Sequence, residues 1–367
     1  MKIGTISYNI HCNFTNYGSA LQTWALNQII KKLNYDPVLI DYCPDILLNK
    51  NPLNPYKNMW DTDETSLKMV QLSMPAIISN YYKFEEFYTK QFVRSSPFTS
   101  NNFDKTKEIV DGYVCGSDTI FCPDEFGIDD GYYANYNCMQ KKSIAYAASF
   151  GDPHFNETTL PILNNRLNNF KAIGLRENNM LDYVKTHTQV PVQKVLDPTL
   201  LLESSDYEKI CSKNSITEKY LLLYSRRYNK SMETFAEQLA KENNWKIIEI
   251  SLRATNAKKG HIMRYDAGVE EFLSLVKNAQ YIVTNSFHGM IFSVQFKRPF
   301  VIFSREQCGT KITELLELFG LRNRQLIDQN ESFLENIDYS EVHNRIAMEK
   351  NKSIAFLKNS LGLLNKE

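Results

Sequence analysis

The chain has 367 residues, which is enough for two domains, and its hydrophobic and charged fractions of 43% and 23% are ordinary for a globular protein. Lys and Arg number 42, as do Asp and Glu, so no net charge attracts nucleic acid. No apolar run reaches membrane-spanning length, and the polar first segment does not resemble a signal peptide, which predicts a cytoplasmic protein. The seven cysteines form no C-x-x-C pair, so we expect neither a disulfide framework nor a metal site.

The first half of the chain alternates predicted strands and helices. It begins with a strand at 2–8, a polar loop HCNFTNYG at 11–18, a helix with one apolar face at 19–33 and a strand at 38–41. Further strands are predicted at 109–115, 143–148, 171–175 and 193–196, and further helices at 61–92, 159–170 and 176–185. The polar loop therefore follows a strand and opens a helix, a position that binds anions or sugars. It lacks the glycine fingerprint of dinucleotide sites.

The second half repeats this alternation. Strands are predicted at 220–224, 246–250, 281–284 and 300–303, and helices at 231–242, 269–277, 287–296 and 338–364. Two such halves predict an α/β protein with two Rossmann-like parallel-sheet domains facing a cleft, the glycosyltransferase-B-like arrangement. We place the first domain at 1–205 and the second at 206–337, with the final segment 338–367 returning to the first domain. Ligands of such proteins bind in the cleft.

Residues 80–92, NYYKFEEFYTKQF, combine aromatic and basic side chains within a predicted helix. Such a segment could lie on a membrane surface or contact an oligosaccharide. The alternative is an amphipathic helix packed on its own domain, and the pattern favours this second interpretation.

The strongest site prediction lies where the strand 281–284 turns into a helix. Asn285 and Ser286 are good N-cap residues, and His288 and Gly289 follow in the first turn. The first amides of a helix have no intrahelical partner and carry partial positive charge, so phosphate or carboxylate binds well there. We expect Gly289 to let a ligand approach the backbone closely.

Six motifs in order resemble the polysaccharide pyruvyl transferase family over roughly residues 3–325. They are NYGSALQTWAL, VCGSDTIFCP, AYAASFG, IGLRENNM, VLDPTLLL and EEFLSLVKNAQYIVTNSFHGMIFSVQFKRPF. The family often has Asp where Asn285 stands, and usually Gln-Val-Trp where this chain has Thr119-Ile120-Phe121. The resemblance implies a transferase that moves pyruvate from phosphoenolpyruvate onto a pair of sugar hydroxyls as a ketal, usually in surface polysaccharide synthesis.

Phosphoenolpyruvate carries a carboxylate and a phosphate, so the implied chemistry needs cationic clamps, a general acid and a general base. A guanidinium can bind either anion with two parallel hydrogen bonds, and Arg176 follows a predicted strand directly. The residues assigned to donor binding are Arg176, Ser286, Phe287, His288, Gly289, Arg226 and Arg227, with Lys311 a weaker candidate. His288 is the predicted acid or phosphate clamp, and we assign catalysis to His288, Asp118 and Arg176.

The acceptor sugar is expected on the first domain. The residues assigned to it are Asn16, Tyr17, Ser19, Ser117 and Asp118. Asp118 is the predicted base, although a helix N-cap would also suit an Asp at that position. Gly116 and Ser117 are expected to offer backbone amides to the ligand.

Two other functions fit the same architecture. A nucleotide-sugar glycosyltransferase would need a carboxylate for the ribose or the base, and Glu270 and Glu271 are available. A non-catalytic sugar- or phosphate-binding subunit would not need His288 and Arg176, and both are present. The expected partners are phosphoenolpyruvate, a sugar or lipid-linked oligosaccharide acceptor and, peripherally, the inner membrane surface. We expect no cofactor, metal ion or nucleic acid.

Overall fold

The computed structural model describes residues 1–57, 63–304, 309–326 and 336–365. A first sheet contains β1 (Lys2–Ile6), β2 (Asp36–Tyr42), β3 (Arg94–Phe98), β4 (Gly112–Cys115), β5 (Ser143–Ala148), β6 (Phe170–Leu175) and β7 (Val192–Lys194). A second sheet contains β8 (Tyr220–Tyr224), β9 (Lys246–Ile250), β10 (Ile262–Met263), β11 (Tyr281–Thr284), β12 (Phe300–Phe303) and β13 (Gln325–Leu326).

Helices connect the strands of both sheets. In chain order they are α1 (Tyr17–Lys32), α2 (Glu64–Gln91), α3 (Pro123–Phe126), α4 (Thr159–Leu167), α5 (Leu181–His187), α6 (Ser204–Glu208), α7 (Lys230–Glu242), α8 (Val269–Asn278), α9 (Phe287–Gln295), α10 (Gly309–Phe319) and α11 (Tyr339–Leu364). Among the described helices, none is both long and apolar enough to cross a bilayer.

Both sheets are parallel throughout, which confirms the predicted fold class. The strand order is β3-β2-β1-β4-β5-β6-β7 in the first sheet and β10-β9-β8-β11-β12-β13 in the second. The order reverses between β1 and β4 in one sheet and between β8 and β11 in the other. Open α/β sheets bind ligands outside the carboxyl ends of the strands at such points. The loops after these four strands are therefore where a site is expected.

The central strands are apolar along their whole length because helices cover both faces of each sheet. β8 and β11, for example, consist entirely of buried residues. The strand β3 was missed by the sequence analysis because RSSPF contains neither an alternating nor a β-branched pattern. It lies at the edge of its sheet, where a proline is tolerated since one side of the strand makes no ladder hydrogen bonds.

One boundary difference affects the site. The helix predicted to begin at Arg176 begins at Leu181, so Arg176 does not head a helix. Residues 176–180 instead form an irregular loop after β6. The helix α10 was not predicted from sequence, whereas α1, α2, α7, α8, α9 and α11 lie within a few residues of their predicted positions.

The aromatic and basic segment at the end of α2 packs inside the protein. Phe84, Phe87 and Tyr88 are buried in the main core. Asn80 Nδ2 donates to the carbonyl oxygen of Ala267 (2.5 Å), so α2 bonds to a residue of the second half. The helix therefore packs on its own domain, as the favoured interpretation expects, and it also contacts the second half, which that interpretation did not include.

The last helix, α11, returns to the first sheet. Ser353 Oγ accepts a hydrogen bond from the amide of Leu196 (2.9 Å), and Lys171 Nζ donates to the carbonyl oxygen of Leu363 (3.0 Å). Phe356 packs against Gly174 in β6. A Cβ atom on Gly174 would stand 2.9 Å from the phenyl ring.

Candidate active site

Four charged or titratable residues meet at the carboxyl ends of the strands, between the two sheets. Asp118 follows β4, Arg176 follows β6, Asp197 follows β7, and His288 lies in the first turn of α9. All four are buried, with at most 8% of each residue exposed. The site is assembled from both halves of the chain, since only His288 comes from the second.

Arg176 is held by carboxylates of the protein itself. Its Nε donates to Glu177 Oε1 (3.1 Å) and its Nη1 donates to Asp197 Oδ2 (2.9 Å). Its Nη2 lies 3.8 Å from Asp118 Oδ1 and makes no hydrogen bond to any residue that the structure describes. Burial opposes the charge, but these three carboxylates prevail and raise the pKa of Arg176. One guanidinium nitrogen is therefore charged, buried and available to a ligand.

Asp197 connects the arginine to the histidine. The same oxygen, Oδ2, that accepts from Arg176 lies 3.3 Å from His288 Nε2. The other oxygen accepts from the amide (2.9 Å) and hydroxyl (2.6 Å) of Thr199. Burial would raise the pKa of Asp197, yet the charges of His288 and Arg176 with these hydrogen bonds hold it well below its ordinary value. Asp197 is therefore an ionised carboxylate that contacts both Arg176 and His288.

The other edge of the His288 ring packs against helix α1. A Cβ atom placed on Gly18 would stand 2.1 Å from His288 Nδ1, so only glycine fits there. Because Nδ1 faces the first turn of α1, Nε2 is the nitrogen that faces the carboxylates. Gly18 and Asp197 together fix the plane of the imidazole.

Asp118 lies beside this pair. Ser19 Oγ donates to its Oδ2 (2.6 Å), and the amide of Thr119 donates to its Oδ1 (2.9 Å). Burial raises the pKa of Asp118, but the charges of Arg176, Lys311 and His288 outweigh burial and lower it. Asp118 caps no helix, since the next helix along the chain begins at Pro123. The carboxylate is therefore ionised and lies in the cluster.

Phe287 lines a cavity of about 150 Å³ next to Arg176, together with Asp197 and Lys311. The Arg176 guanidinium lies 5.0 Å from the centroid of the Phe287 ring and the Lys311 ammonium 5.7 Å from it. Both cations therefore lie close to the same aromatic ring. The structure places Lys311, the weaker candidate from sequence, in the lining of the same cavity as Arg176.

The remaining residues of the strand-to-helix turn have structural contacts. Ser286 Oγ caps α9 by accepting from the amide of Gly289 (3.2 Å). A Cβ atom on Gly289 would stand 2.6 Å from Thr284 Oγ1 and 3.0 Å from the ring of Tyr224. The glycine is required by this packing, which corrects the expectation that it leaves room for a ligand.

Among the predicted acceptor residues, Asp118 belongs to the cluster and Ser19 bonds to it directly, whereas Asn16 and Tyr17 make structural contacts. Asn16 Oδ1 caps α1 by accepting from the amides of Gly18 and Ser19 (3.0 and 3.4 Å). Tyr17 donates to the carbonyl oxygen of Ala267 (2.7 Å) and thereby joins the two halves. The structure does not bring the Asn16 amide or the Tyr17 hydroxyl to Asp118.

Ser117 is also engaged within the fold. Its hydroxyl donates to the carbonyl oxygen of Ala147 (2.9 Å), and its amide donates to Gln22 Oε1 (3.0 Å). The amide of Gly116 donates to the carbonyl oxygen of Ile6 (2.9 Å). The prediction that these two amides serve a ligand is therefore wrong, because both already have acceptors.

Arg226 and Arg227 follow β8 and line a different cavity from Arg176. Asn285 fixes their backbone: its Oδ1 accepts from the amide of Arg226 (2.8 Å), and its Nδ2 donates to the carbonyl oxygen of Arg227 (2.7 Å). All three arginines were predicted to bind one donor, and the structure does not bring them together. Asn285 therefore positions the backbone of the loop after β8.

One residue of the cluster, Asp197, and one residue packed against it, Gly18, were not predicted from sequence. Asp197 stands in the motif VLDPTLLL, just after a predicted strand. A carboxylate at the carboxyl end of a strand could have been predicted to belong to the site. Gly18 had no signal of its own, since its importance depends on contact with a residue 270 positions away.

Comparison with known proteins then identifies the family. A family model for polysaccharide pyruvyl transferases matches residues 16–307, which include Asp118, Arg176, Asp197 and His288. The chain belongs to the polysaccharide pyruvyl transferase family. The chain is therefore a transferase by family. The match also confirms the resemblance drawn from the six motifs. No curated protein matches the sequence of the chain.

Solved structures confirm the glycosyltransferase-B-like fold. A putative UDP-N-acetylglucosamine 2-epimerase from Listeria monocytogenes is 9% identical with a TM-score of 0.51, covering 99% of this chain and 93% of that one. The UDP-N-acetylglucosamine 2-epimerase from Rickettsia bellii is 13% identical with a TM-score of 0.50, covering 100% and 98%. The N-terminal domain of Candida albicans trehalose-6-phosphate phosphatase is 10% identical with a TM-score of 0.50, covering 99% and 97%. At these identities the likeness concerns the fold alone.

Proposed function

We propose that the protein transfers pyruvate from phosphoenolpyruvate onto a pair of hydroxyls of a sugar acceptor, forming a ketal for a surface polysaccharide precursor. Family membership supports the reaction class. The observation that carries the choice of donor is the unbonded, buried Nη2 of Arg176 beside the cavity that Lys311 also lines. A charged nitrogen without an acceptor is costly inside a protein, and an anionic ligand would supply the acceptor.

In this mechanism Arg176 and Lys311 bind the carboxylate and phosphate of phosphoenolpyruvate. His288 gives its Nε2 proton to the methylene carbon, which generates an oxocarbenium-like centre at the next carbon. Nε2 lies 3.3 Å from Asp197 Oδ2, so this carboxylate orients the imidazole for the transfer. Asp197 stabilises the imidazolium before the proton leaves.

Asp118 acts as the base for the attacking sugar hydroxyl. The first hydroxyl attacks the cationic carbon, the carbon–oxygen bond to phosphate breaks, and the second hydroxyl closes the ketal ring. One of the two hydroxyl protons leaves on the phosphate, and the other reprotonates His288. The step therefore consumes no other reactant.

The glycosyltransferase alternative is less well supported. Its candidate carboxylates form ion pairs instead: Glu271 with Lys83 (2.7 Å) and Glu270 with Lys90 (3.2 Å). Neither glutamate belongs to the described lining of the cavities beside Arg176 and Arg226.

The direct test is to incubate the protein with phosphoenolpyruvate and a panel of lipid-linked and nucleotide-linked sugars. Mass spectrometry should detect addition of a pyruvate ketal, and inorganic phosphate should be released in equal amount. Transfer of a sugar from a nucleotide sugar, with no phosphate released from phosphoenolpyruvate, would instead establish the glycosyltransferase alternative.

A further inference from the structure

The helix α10 carries Lys311 from the second half of the chain to the cavity of the candidate active site. At the start of this helix, Thr310 Oγ1 donates to Asp152 Oδ1 (2.7 Å), in the loop after β5. One turn later, Glu314 reaches the loop after β6, where each of its two carboxylate oxygens lies 3.2 Å from the amide nitrogen of Asn178. These contacts hold α10 across the junction of the two halves.

The loop that receives Glu314 also carries the arginine of the site. Glu177 Oε1 accepts from Ser149 Oγ (2.5 Å) and from Arg176 Nε (3.1 Å), so the first residues of this loop are bonded to one another and to the loop after β5. Asn178 is two residues beyond Arg176. Glu314 therefore bonds to the short segment that holds the guanidinium, while its own helix holds the ammonium of the site.

Glu314 forms its ion pair across the junction and not along its own helix. Lys311 stands three residues earlier on α10, a spacing at which opposite charges on a helix can pair. Glu314 Oε2 instead accepts from Lys194 Nζ (2.6 Å), at the end of β7. Lys311 has no ion-pair or hydrogen-bond partner among the residues that the structure describes. Its ammonium is therefore available to an anionic ligand.

A carboxylate beside a cavity for an anion is unfavourable unless it is paired, because like charges repel. Glu314 lines the same cavity as Arg176 and Lys311, and its side chain is 19% exposed. The ion pair with Lys194 and the bond from the Asn178 amide offset its charge. Glu314 can therefore join the two halves without opposing a bound phosphate or carboxylate.

We propose that Glu314 is a positioning residue for the anionic donor. By fixing α10 on the loop after β6, it sets the spacing of Arg176 and Lys311, which lie 5.0 and 5.7 Å from the centroid of the Phe287 ring. Without this contact a ligand must first restore that spacing, so its apparent affinity falls with the docked fraction of the protein. The identity of the donor as phosphoenolpyruvate rests on the proposed function, whereas the positioning role requires only an anion that contacts both cations.

Calorimetric titration of the full chain with phosphoenolpyruvate and, separately, with inorganic phosphate tests this role. Glu314→Ala removes both the ion pair and the amide acceptor, and should weaken binding of each anion about tenfold. Glu314→Gln keeps an oxygen for the Asn178 amide and should lose only about threefold. The matched control is Glu317→Ala, which removes an exposed carboxylate from the same helix and should leave both affinities unchanged.

Two further measurements distinguish positioning from a part in the chemical step and from a general loss of stability. At saturating phosphoenolpyruvate, turnover of Glu314→Ala should stay within about threefold of the unmodified protein, while KM rises in step with the dissociation constant. In the absence of ligand, amide hydrogen exchange should become faster in segments 176–180 and 309–319 of Glu314→Ala. Exchange in Glu317→Ala should match that of the unmodified protein.

Equal affinities of Glu314→Ala and the unmodified protein for both anions would overturn the positioning role and leave the proposed function intact. A lower melting temperature with unchanged affinity would likewise reduce the contact to a structural one. Binding of inorganic phosphate that depends on Glu314, with no binding of phosphoenolpyruvate, would support the positioning role and contradict the proposed donor. No binding of either anion at millimolar concentration would overturn the positioning role, because no anion would then contact both cations.

Discussion

His288 Nδ1 occupies the space that any side chain on Gly18 would need, since a Cβ atom there would stand 2.1 Å away. Gly18 belongs to α1 of the first half, and His288 belongs to α9 of the second. This contact therefore sets the position of the imidazole relative to Asp118, which Ser19 holds one residue further along α1.

Gly18→Ala should displace the imidazole and lower turnover by about 10²-fold, because small misplacements of a catalytic group have effects of that size. Gly362→Ala is the matched control: a Cβ atom at Gly362 meets nothing within 4 Å, so turnover should be unchanged. Steady-state kinetics with phosphoenolpyruvate measures both. Normal turnover in Gly18→Ala would mean that the position of the ring is not critical.

His288→Asn should retain part of the phosphoenolpyruvate binding through Arg176 and Lys311, while turnover falls by about 10²–10⁴-fold, the usual contribution of a general acid. In deuterated solvent the product methyl group should carry one deuterium, and the variant should slow its incorporation in parallel with turnover. His154→Asn, which alters an exposed histidine, is the control. Weakened binding with normal turnover at saturation would make His288 a phosphate clamp.

Arg176→Lys should reduce both donor affinity and stability. Lysine cannot bond Glu177 and Asp197 while leaving a second nitrogen for the donor. We expect affinity for phosphoenolpyruvate to fall about tenfold or more and the free energy of unfolding to fall by about 1–3 kcal/mol. Calorimetric titration and urea denaturation measure the two effects, with Arg345→Lys as the exposed control. A variant that binds the donor normally would place the clamp elsewhere.

The pair of His11 and Asp41 should make stability depend on alkaline pH. Burial lowers the pKa of His11, but its hydrogen bond to Asp41 (2.6 Å), with smaller contributions from Cys43, raises the pKa to about 9. Arg94 and Glu85 complete the charged surroundings. Because the folded pKa exceeds the unfolded value of 6.5, the stabilisation is complete below pH 6.5 and is lost as pH rises through 9.

Urea denaturation between pH 6 and 9.5 should therefore show a loss of about 2 kcal/mol, below the full linkage value because the imidazole is partly exposed. His11→Gln should be less stable than the unmodified protein at pH 6 and similar to it at pH 9.5. Parallel stability curves for the two proteins would contradict the assignment.

Several elements could be predicted from sequence because their signals are local. The strands 220–224, 246–250, 281–284 and 300–303 have the predicted bounds, since apolar runs bounded by turns reflect burial on both faces. Polar or very short strands such as β3 could not be predicted, because their pairing depends on a neighbouring strand rather than on their own side chains.

The sequence also predicted that Asp118, Arg176 and His288 lie at the carboxyl ends of strands. Parallel α/β sheets bind ligands at those ends. What it could not supply is which side chains meet. The tertiary structure pairs Arg176 and His288 with one oxygen of Asp197, engages both amides at Gly116 and Ser117, and moves Arg226 to a second cavity. These outcomes depend on contacts between residues tens to hundreds of positions apart. Local propensity and motif order determine the strands and their edges, whereas only the packing of the two halves decides the hydrogen-bond partners.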